Sequence, residues 1–293
     1  MKKLLAMAVI AAFTVSMLAG CGQSAETTDA SAQETTQETE TEAADEETAG
    51  TADAASEDTA ERTTFTVGFD AEFPPYGYMD ESGEYTGFDL ELAQEVCDRN
   101  GWELVKQPID WDSKDMELSS GAIDCIWNGF TMNGREDAYT FSVPYVDNSQ
   151  VFVVAADSGI TVFDDLAGKN VGVQKDSSAL AALEGDAADL AATFGNLTQY
   201  SDYNTAFMDL EQGAIDALAI DVGVADYQIA SRGEGFVKLS ENLASEQYGI
   251  GFKLGNVELK DQVEKTLLEM ADDGTFGKIA EKYGLSDSVC LGK

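Results

Sequence analysis

The sequence predicts an α/β protein of two lobes, each a central, mostly parallel sheet flanked by helices, with the chain crossing between them twice. Three observations predict it. Short apolar runs alternate with helical patterns from Phe65 onward, which is the signature of parallel βαβ units. A near repeat, Met116-Glu-Leu-Ser-Ser-Gly-Ala-Ile-Asp124 echoed by Met208-Asp-Leu-Glu-Gln-Gly-Ala-Ile-Asp216, implies two halves built on one plan. Only two helical patterns follow the last strand, too little for a third domain, so they return to complete the first lobe.

The elements follow in order. Phe65–Phe69 reads as a strand and leads into a loop at Pro74-Pro75. Phe88–Arg99 has helical periodicity and is stopped by Asn100-Gly101. A strand at Trp102–Gln107, a helix near Ser113–Ser119 and a strand at Ile123–Trp127 complete the first run. The second run is strand Val171–Val173, a helix from Ser178, strand Leu197–Ser201, helix Tyr203–Gln212 and strand Ala217–Ile220. After a strand at Tyr248–Phe252 come helices Val257–Ala271 and Phe276–Tyr283. Crossings near Asp147–Val151 and Ser245–Gly249 make a hinge, with residues 64–149 plus 249–293 as lobe 1 and 150–248 as lobe 2.

Ahead of the lobes, Lys2 and Lys3 precede an apolar stretch from Leu4 to Met17, about the length of a signal-peptide core and too short to span a bilayer. Leu18-Ala19-Gly20-Cys21 resembles a bacterial lipobox, which implies a leader over residues 1–20 and a lipid on Cys21. An ordinary secretory leader with an incidental cysteine is the alternative. Residues 21–63 are almost entirely Ala, Ser, Thr, Gln, Glu and Asp, and are expected to be a disordered acidic tether. No later apolar run reaches spanning length, so the expected arrangement is extracytoplasmic: anchored to the outer face of the cell membrane without crossing it.

Composition removes several function classes. The net charge of −38 argues against nucleic acid, whose phosphates need clustered Lys and Arg. With no histidine, Ser-His and Cys-His nucleophile arrangements and the commonest metal ligand are absent. Asp110-Trp111-Asp112-Ser113-Lys114-Asp115 fails as a calcium loop, with Lys where the third ligand belongs and Asp where the turn glycine belongs. Besides Cys21, the spacing of Cys97, Cys125 and Cys290 fits neither redox nor zinc patterns. Cys97 and Cys125 read as buried small hydrophobes, with a bridge from Cys290 to Cys97 left open. No cofactor, metal or catalytic apparatus is expected.

Ligands of open parallel sheets bind beyond the carboxyl ends of the strands. One repeated strand runs out into Asn128-Gly129-Phe130-Thr131-Met132-Asn133-Gly134-Arg135, and the other into Asp221. Those groups fit a zwitterion. Arg135 suits a carboxylate, while Asp221, the Thr131 hydroxyl and the Gly129 carbonyl suit an ammonium. Gln174-Lys-Asp-Ser-Ser178 precedes a helix, so the Ser178 amide is available to an anion. Phe73 and Trp111, in loops after strands, supply aromatic walls, although core packing is the competing role for Trp111 and more so for Tyr76.

Val67-Gly-Phe-Asp-Ala-Glu-Phe-Pro-Pro-Tyr76, Gly87-Phe-Asp-Leu90, Asn128-Gly-Phe-Thr131 with Arg135, Phe141-Ser142 with Pro144-Tyr145, Lys169-Asn-Val-Gly-Val173 with Ser177-Ser178, and Asp273-Gly-Thr-Phe-Gly-Lys-Ile-Ala-Glu-Lys-Tyr283 stand in this order. From about Phe65 to Gly284 the chain thus resembles the polar amino-acid branch of bacterial extracellular solute-binding proteins, the receptors of ABC importers. The resemblance implies a two-lobed periplasmic-binding-protein (Venus flytrap) fold. It implies that Arg135 and the Ser178 amide take an α-carboxylate, Thr131 and Asp221 an α-ammonium, and that Phe73 and Trp111 line the side-chain space. Asp70 matches a position contacting polar or cationic side chains, and Gln174 adds to that end. One residue fewer than usual separates Thr131 from Arg135, so Asn133-Gly134 must turn differently. The expected partners are a free L-amino acid and permease subunits, with the chain acting as a monomer. Rival readings are a dehydratase-like enzyme on the same scaffold, an extracellular sensor and a structural lipoprotein.

Overall fold

The computed structural model describes residues 62–293; the leader, Cys21 and the tether up to residue 61 lie outside the described residues. Two sheets carry the fold. The first runs in the order Glu103–Pro108, Thr64–Phe69, Cys125–Ile126, Gly251–Lys253, Tyr139–Phe141. The second runs Asn196–Tyr200, Asn170–Gln174, Ala217–Asp221, Val146–Ala155, Phe236–Lys238. In each, the first three strands are parallel and the rest antiparallel. The parallel part comes from βαβ units, and the antiparallel strands are laid down where the chain leaves one lobe and returns to it.

Those passages form one ribbon. Val146–Ala155 enters the second lobe and Ala244–Tyr248 leaves it, paired antiparallel with Tyr248 opposite Val146 and Ala244 opposite Gln150. The return strand then stops, and Gly251–Lys253 begins a separate strand in the first sheet. The single strand expected over Tyr248–Phe252 is therefore two, broken at Gly249-Ile250 where the chain changes sheets. The Pro74-Pro75 loop also holds a small antiparallel sheet, Glu72–Phe73, Gly77–Met79 and Tyr85–Thr86. Helix Val222–Arg232 follows Asp221 directly and ends at Gly233, with φ 88°.

Both faces of the second sheet are covered. Val151 and Val153 of the crossing strand, with Leu218 and Ile220, enter a large cluster that also contains Phe65, Val67 and Phe69 of the first lobe. Phe152 and Val154, with Ala217 and Ala219, enter a second cluster beneath the helix Ser178–Glu184. This is the alternation of a strand buried on both sides. The same large cluster takes Cys97 and Cys125, and all three described cysteines are free.

The sequence repeat is a structural one. Each copy ends a helix at a left-handed glycine, Gly121 with φ 80° and Gly213 with φ 73°. Each closing aspartate then clasps a neighbouring strand reciprocally. Asp124 N–H donates to the Thr66 carbonyl at 2.8 Å, and the Thr66 N–H donates to its carboxylate at 2.7 Å. Asp216 does the same with Asn170, at 2.7 and 2.8 Å. The isoleucine before each aspartate packs over a glycine of that strand. A Cβ on Gly172 would sit 2.6 Å from Ile215 Cδ1, and one on Gly68 would collide with Ile123 Cδ1. Gly68→Ala should therefore lower stability by about 1–3 kcal/mol. Adding Ile123→Val should recover part of the loss in thermal melts; no recovery would mean that the methyl contact is not the cause.

Candidate functional site

The carboxyl ends of the parallel strands converge between the lobes. One small cavity is lined by Phe73, Trp111, Gly129, Thr131 and Arg135 from the first lobe, and Gln174, Ser177, Ser178 and Asp221 from the second. Of the residues expected at the site, Asp70 alone is not in this lining. It lies just beyond Gln174, whose Nε2 donates to Asp70 Oδ2 at 2.7 Å across the cleft.

At one end the cavity is acidic. Asp221 ends its strand in the N-cap position of the next helix, yet makes no cap bond, because its carboxylate is used elsewhere. Oδ1 accepts from Tyr248 OH at 2.5 Å, Gln150 Nε2 at 2.7 Å and Asn148 Nδ2 at 2.9 Å. A second carboxylate stands beside it. Glu246 Oε1 accepts from the same Gln150 and Asn148 amides, both at 2.7 Å, and lies 3.0 Å from Thr131 Oγ1 and 3.2 Å from Ser178 Oγ. Burial, then repulsion from Glu246, pushes the Asp221 carboxyl up to about 7.

Arg135 brings a cationic group to the same cavity. Asn133 and Gly134 close a tight turn, with Arg135 N–H donating to the Met132 carbonyl at 3.0 Å and Gly134 at φ 77°. The guanidinium lies 4.9 Å from the Phe130 ring centre and donates to the Thr131 carbonyl at 3.1 Å. Ser177, not Ser178, caps the helix, accepting from Leu180 N–H at 3.1 Å. The Ser178 hydroxyl is thereby left for the cleft, where it lies 2.8 Å from Gln150 Nε2.

Phe73 and Trp111 supply aromatic walls. Phe73 lies 5.9 Å from Tyr203 of the other lobe, and Trp111 meets Phe130 edge-on at 5.7 Å. Gly129 sits behind Phe73 at φ 55°, and a Cβ there would come within 2.9 Å of Phe73 Cε1. Its N–H donates at 2.6 Å to Asp89, which also accepts from Tyr145 OH at 2.9 Å. The binding loop is thus tied to the start of the crossing strand by one buried carboxyl. Burial raises Asp89 to about 7 and Asp70 to about 6.

The cleft is closed. Its cavity is about 10 Å³, roughly one water position. Cross-lobe contacts hold it: Gln174 to Asp70, Arg135 to the Asp176 carbonyl at 3.4 Å, Asn204 to Glu72, and an ion pair of Lys114 with Asp176. Lys114, from the acidic run at 110–115, is 2 % exposed and lies 5.2 Å from the Trp111 ring centre. On the outer side of Trp111 is a groove of about 420 Å³ lined by Asp70, Glu72, Asp110, Glu117 and Asp202, with no Lys or Arg.

Sequence reasoning missed Glu246, Asn148, Gln150 and Lys114. A signal existed for three of them. Asn148 and Gln150 alternate on one crossing strand, and Glu246 is the register partner of Asn148 on the other, so all three share a face.

Three raised carboxyls set the pH response. Their folded values exceed their unfolded ones, so the folded chain holds protons the unfolded chain would release. That stability is complete below the unfolded values and is lost as pH rises through the folded ones. Without ligand, Tm should fall from about pH 5 to about pH 8, and Asp89→Asn should flatten the fall. A Tm that rises over this range would contradict the burial argument.

Comparison with known proteins gives one answer. The model of the bacterial extracellular solute-binding proteins, family 3, matches residues 65–286. The L-cystine-binding protein TcyJ of Escherichia coli K12 is 30% identical over 226 residues, covering 76% of this chain and 83% of that one. A histidine-bound substrate-binding protein of an ABC uptake transporter from Streptococcus pneumoniae superposes with a TM-score of 0.74 at 34% identity, covering 77% of this chain and 94% of that one. An ancestral arginine-binding protein bound to arginine gives a TM-score of 0.70 at 35% identity, with 76% and 99% covered.

Proposed function

We propose that this chain, which belongs to the family 3 bacterial extracellular solute-binding proteins, captures a polar or cationic L-amino acid between its lobes and delivers it to the permease of an ABC transporter. The observation that carries the reading is the lining of the closed cleft, where a guanidinium from one lobe and a buried carboxylate from the other meet at one cavity. Arg135 and the Ser178 amide would take the α-carboxylate, and Asp221, Thr131 and the Gly129 carbonyl the α-ammonium. Phe73, Trp111, Gln174 and Asp70 would face the side chain.

The acid-lined groove beyond Trp111 favours a side chain ending in positive charge, since five carboxylates converge there without a cation. The ligands named for the relatives, cystine, histidine and arginine, are likewise polar or cationic. Because the closed cavity holds no more than a water, capture requires the lobes to part about the crossing ribbon and shut again. A ligand touching both lobes binds the shut form better and shifts the population toward it. The family is extracellular, and the reading includes a lipid anchor on Cys21 that tethers a monomer to the outer face of the membrane. No helix among the described residues is long and apolar enough to cross it. Binding rather than catalysis is the proposed role.

Thermal shift against the twenty amino acids tests the class. Arginine or lysine should raise Tm most; a largest rise with glutamate would overturn the cationic reading, and turnover of any amino acid would overturn the receptor reading. Asp221→Ala should weaken binding by about two orders of magnitude or more while leaving the fold intact. Unchanged affinity by calorimetry would remove Asp221 from the site. Lys114→Ala should favour the open form, seen as a larger radius of gyration by X-ray scattering without ligand and a several-fold loss of affinity. Identical scattering and affinity would show that the ion pair plays no part in closure.

A further inference from the structure

Two carboxylates meet at one end of the cleft where the family reading needs only Asp221. Both are buried, Asp221 at 4 % and Glu246 at 8 % exposure. They share the same two amide donors, Asn148 Nδ2 and Gln150 Nε2. The remaining contacts are hydroxyls: Tyr248 and Tyr203 on Asp221, Thr131 and Ser178 on Glu246. Among the described residues neither carboxylate is in an ion pair. The nearest basic group of the site, Arg135, is turned to the Thr131 and Asp176 carbonyls, and Lys114 to the Asp176 carboxylate. The other ionisable groups packed around the pair are the tyrosines 76, 203 and 248, all of them neutral phenols pushed further from ionisation by burial.

Glu246 also lines a cavity of about 540 Å³ with Arg135, Thr131 and Ser178, whereas Asp221 lies deeper. An anion beside the deeper carboxylate, with no ion pair to either, makes ionising Asp221 costly. A proton or a cation has to be present. We propose that Glu246 is a second carboxylate of the ammonium subsite, that its charge keeps a proton on Asp221 in the ligand-free closed protein, and that the ammonium of the bound amino acid displaces this proton into solvent. The step balances: the ligand brings one positive charge and one H⁺ leaves, so the pair stays neutralised by a single charge throughout. The inference rests on the amino-acid reading above and adds to it a proton-linked capture.

The sign follows. Below the pair's titration the proton competes with the ammonium, so affinity falls as pH falls, approaching tenfold for each unit. Above it the pair is already ionised and affinity levels off. Because Glu246 sits on the return strand of the hinge, loss of the proton and entry of the ammonium both act at the ribbon that bends.

Calorimetry of arginine binding near pH 6, in buffers of different ionisation enthalpy, reads the protons released. Wild type should release close to one proton from this pair, and Glu246→Gln should release less than half as much, with a shallower dependence of affinity on pH. Asp70 remains in both proteins, so its contribution cancels. Equal release by the two proteins, or none by either, overturns the proposal and leaves the amino-acid reading standing. If no amino acid binds, infrared spectra of the ligand-free proteins still decide. Protonated-carboxyl absorption beyond that of Asp89 and Asp70, present in wild type and lost in Glu246→Gln, supports the proton on Asp221, and equal absorption in the two proteins refutes it.

Discussion

Asp221 and Glu246 lie side by side in a buried cleft, and the groups that make this tolerable are almost all on the two crossing strands. Asn148 and Gln150 come from the outgoing strand, Glu246 and Tyr248 from the return strand, and their register places them on one face. The hinge and the acidic end of the site are therefore the same residues. In the proposed cycle, a rotation of the lobes about this ribbon would change the distances among the donors that hold the carboxylates, and a cation settling between the carboxylates would act directly on the ribbon.

The closed arrangement is supported by ordinary forces. The large apolar cluster runs through both lobes, from Val67 and Phe69 to Leu218 and Ile220. Phe73 against Tyr203 and Tyr78 against Tyr227 continue it toward the rim. In the proposed cycle, opening would expose part of this surface and break the Lys114–Asp176 pair, while closing without a ligand would bring Asp221 and Glu246 together with only a proton between them. Opposing terms of this kind leave a small net difference, which is the condition for a modest ligand to decide the balance.

The internal repeat explains why chemistry from two lobes meets at all. In each lobe an aspartate clasps the neighbouring strand and an isoleucine fills the notch of a glycine, Gly68 or Gly172. That shared local geometry fixes the carboxyl ends of equivalent strands at equivalent places. When the lobes face one another, Thr131 and Arg135 come opposite Ser178 and Asp221.

Much of this was legible in the sequence. Periodicity, glycine stops and the repeat determined the parallel strands, their helices and the loops that carry chemistry, because those features are local and their patterns repeat over a few residues. They placed Phe73, Trp111, Gly129, Thr131, Arg135, Gln174, Ser178 and Asp221 around one cavity. Tertiary structure alone decided the rest. Glu246 and Asn148 are 98 positions apart and meet only because two strands pair at the hinge. Lys114 gave no sign of being buried, since burial came from a lobe whose docking no local pattern encodes. Asp70 lay beyond Gln174 for the same reason: sequence specifies which groups leave each strand end, whereas the distance across a cleft depends on how two separately folded surfaces come to rest against each other.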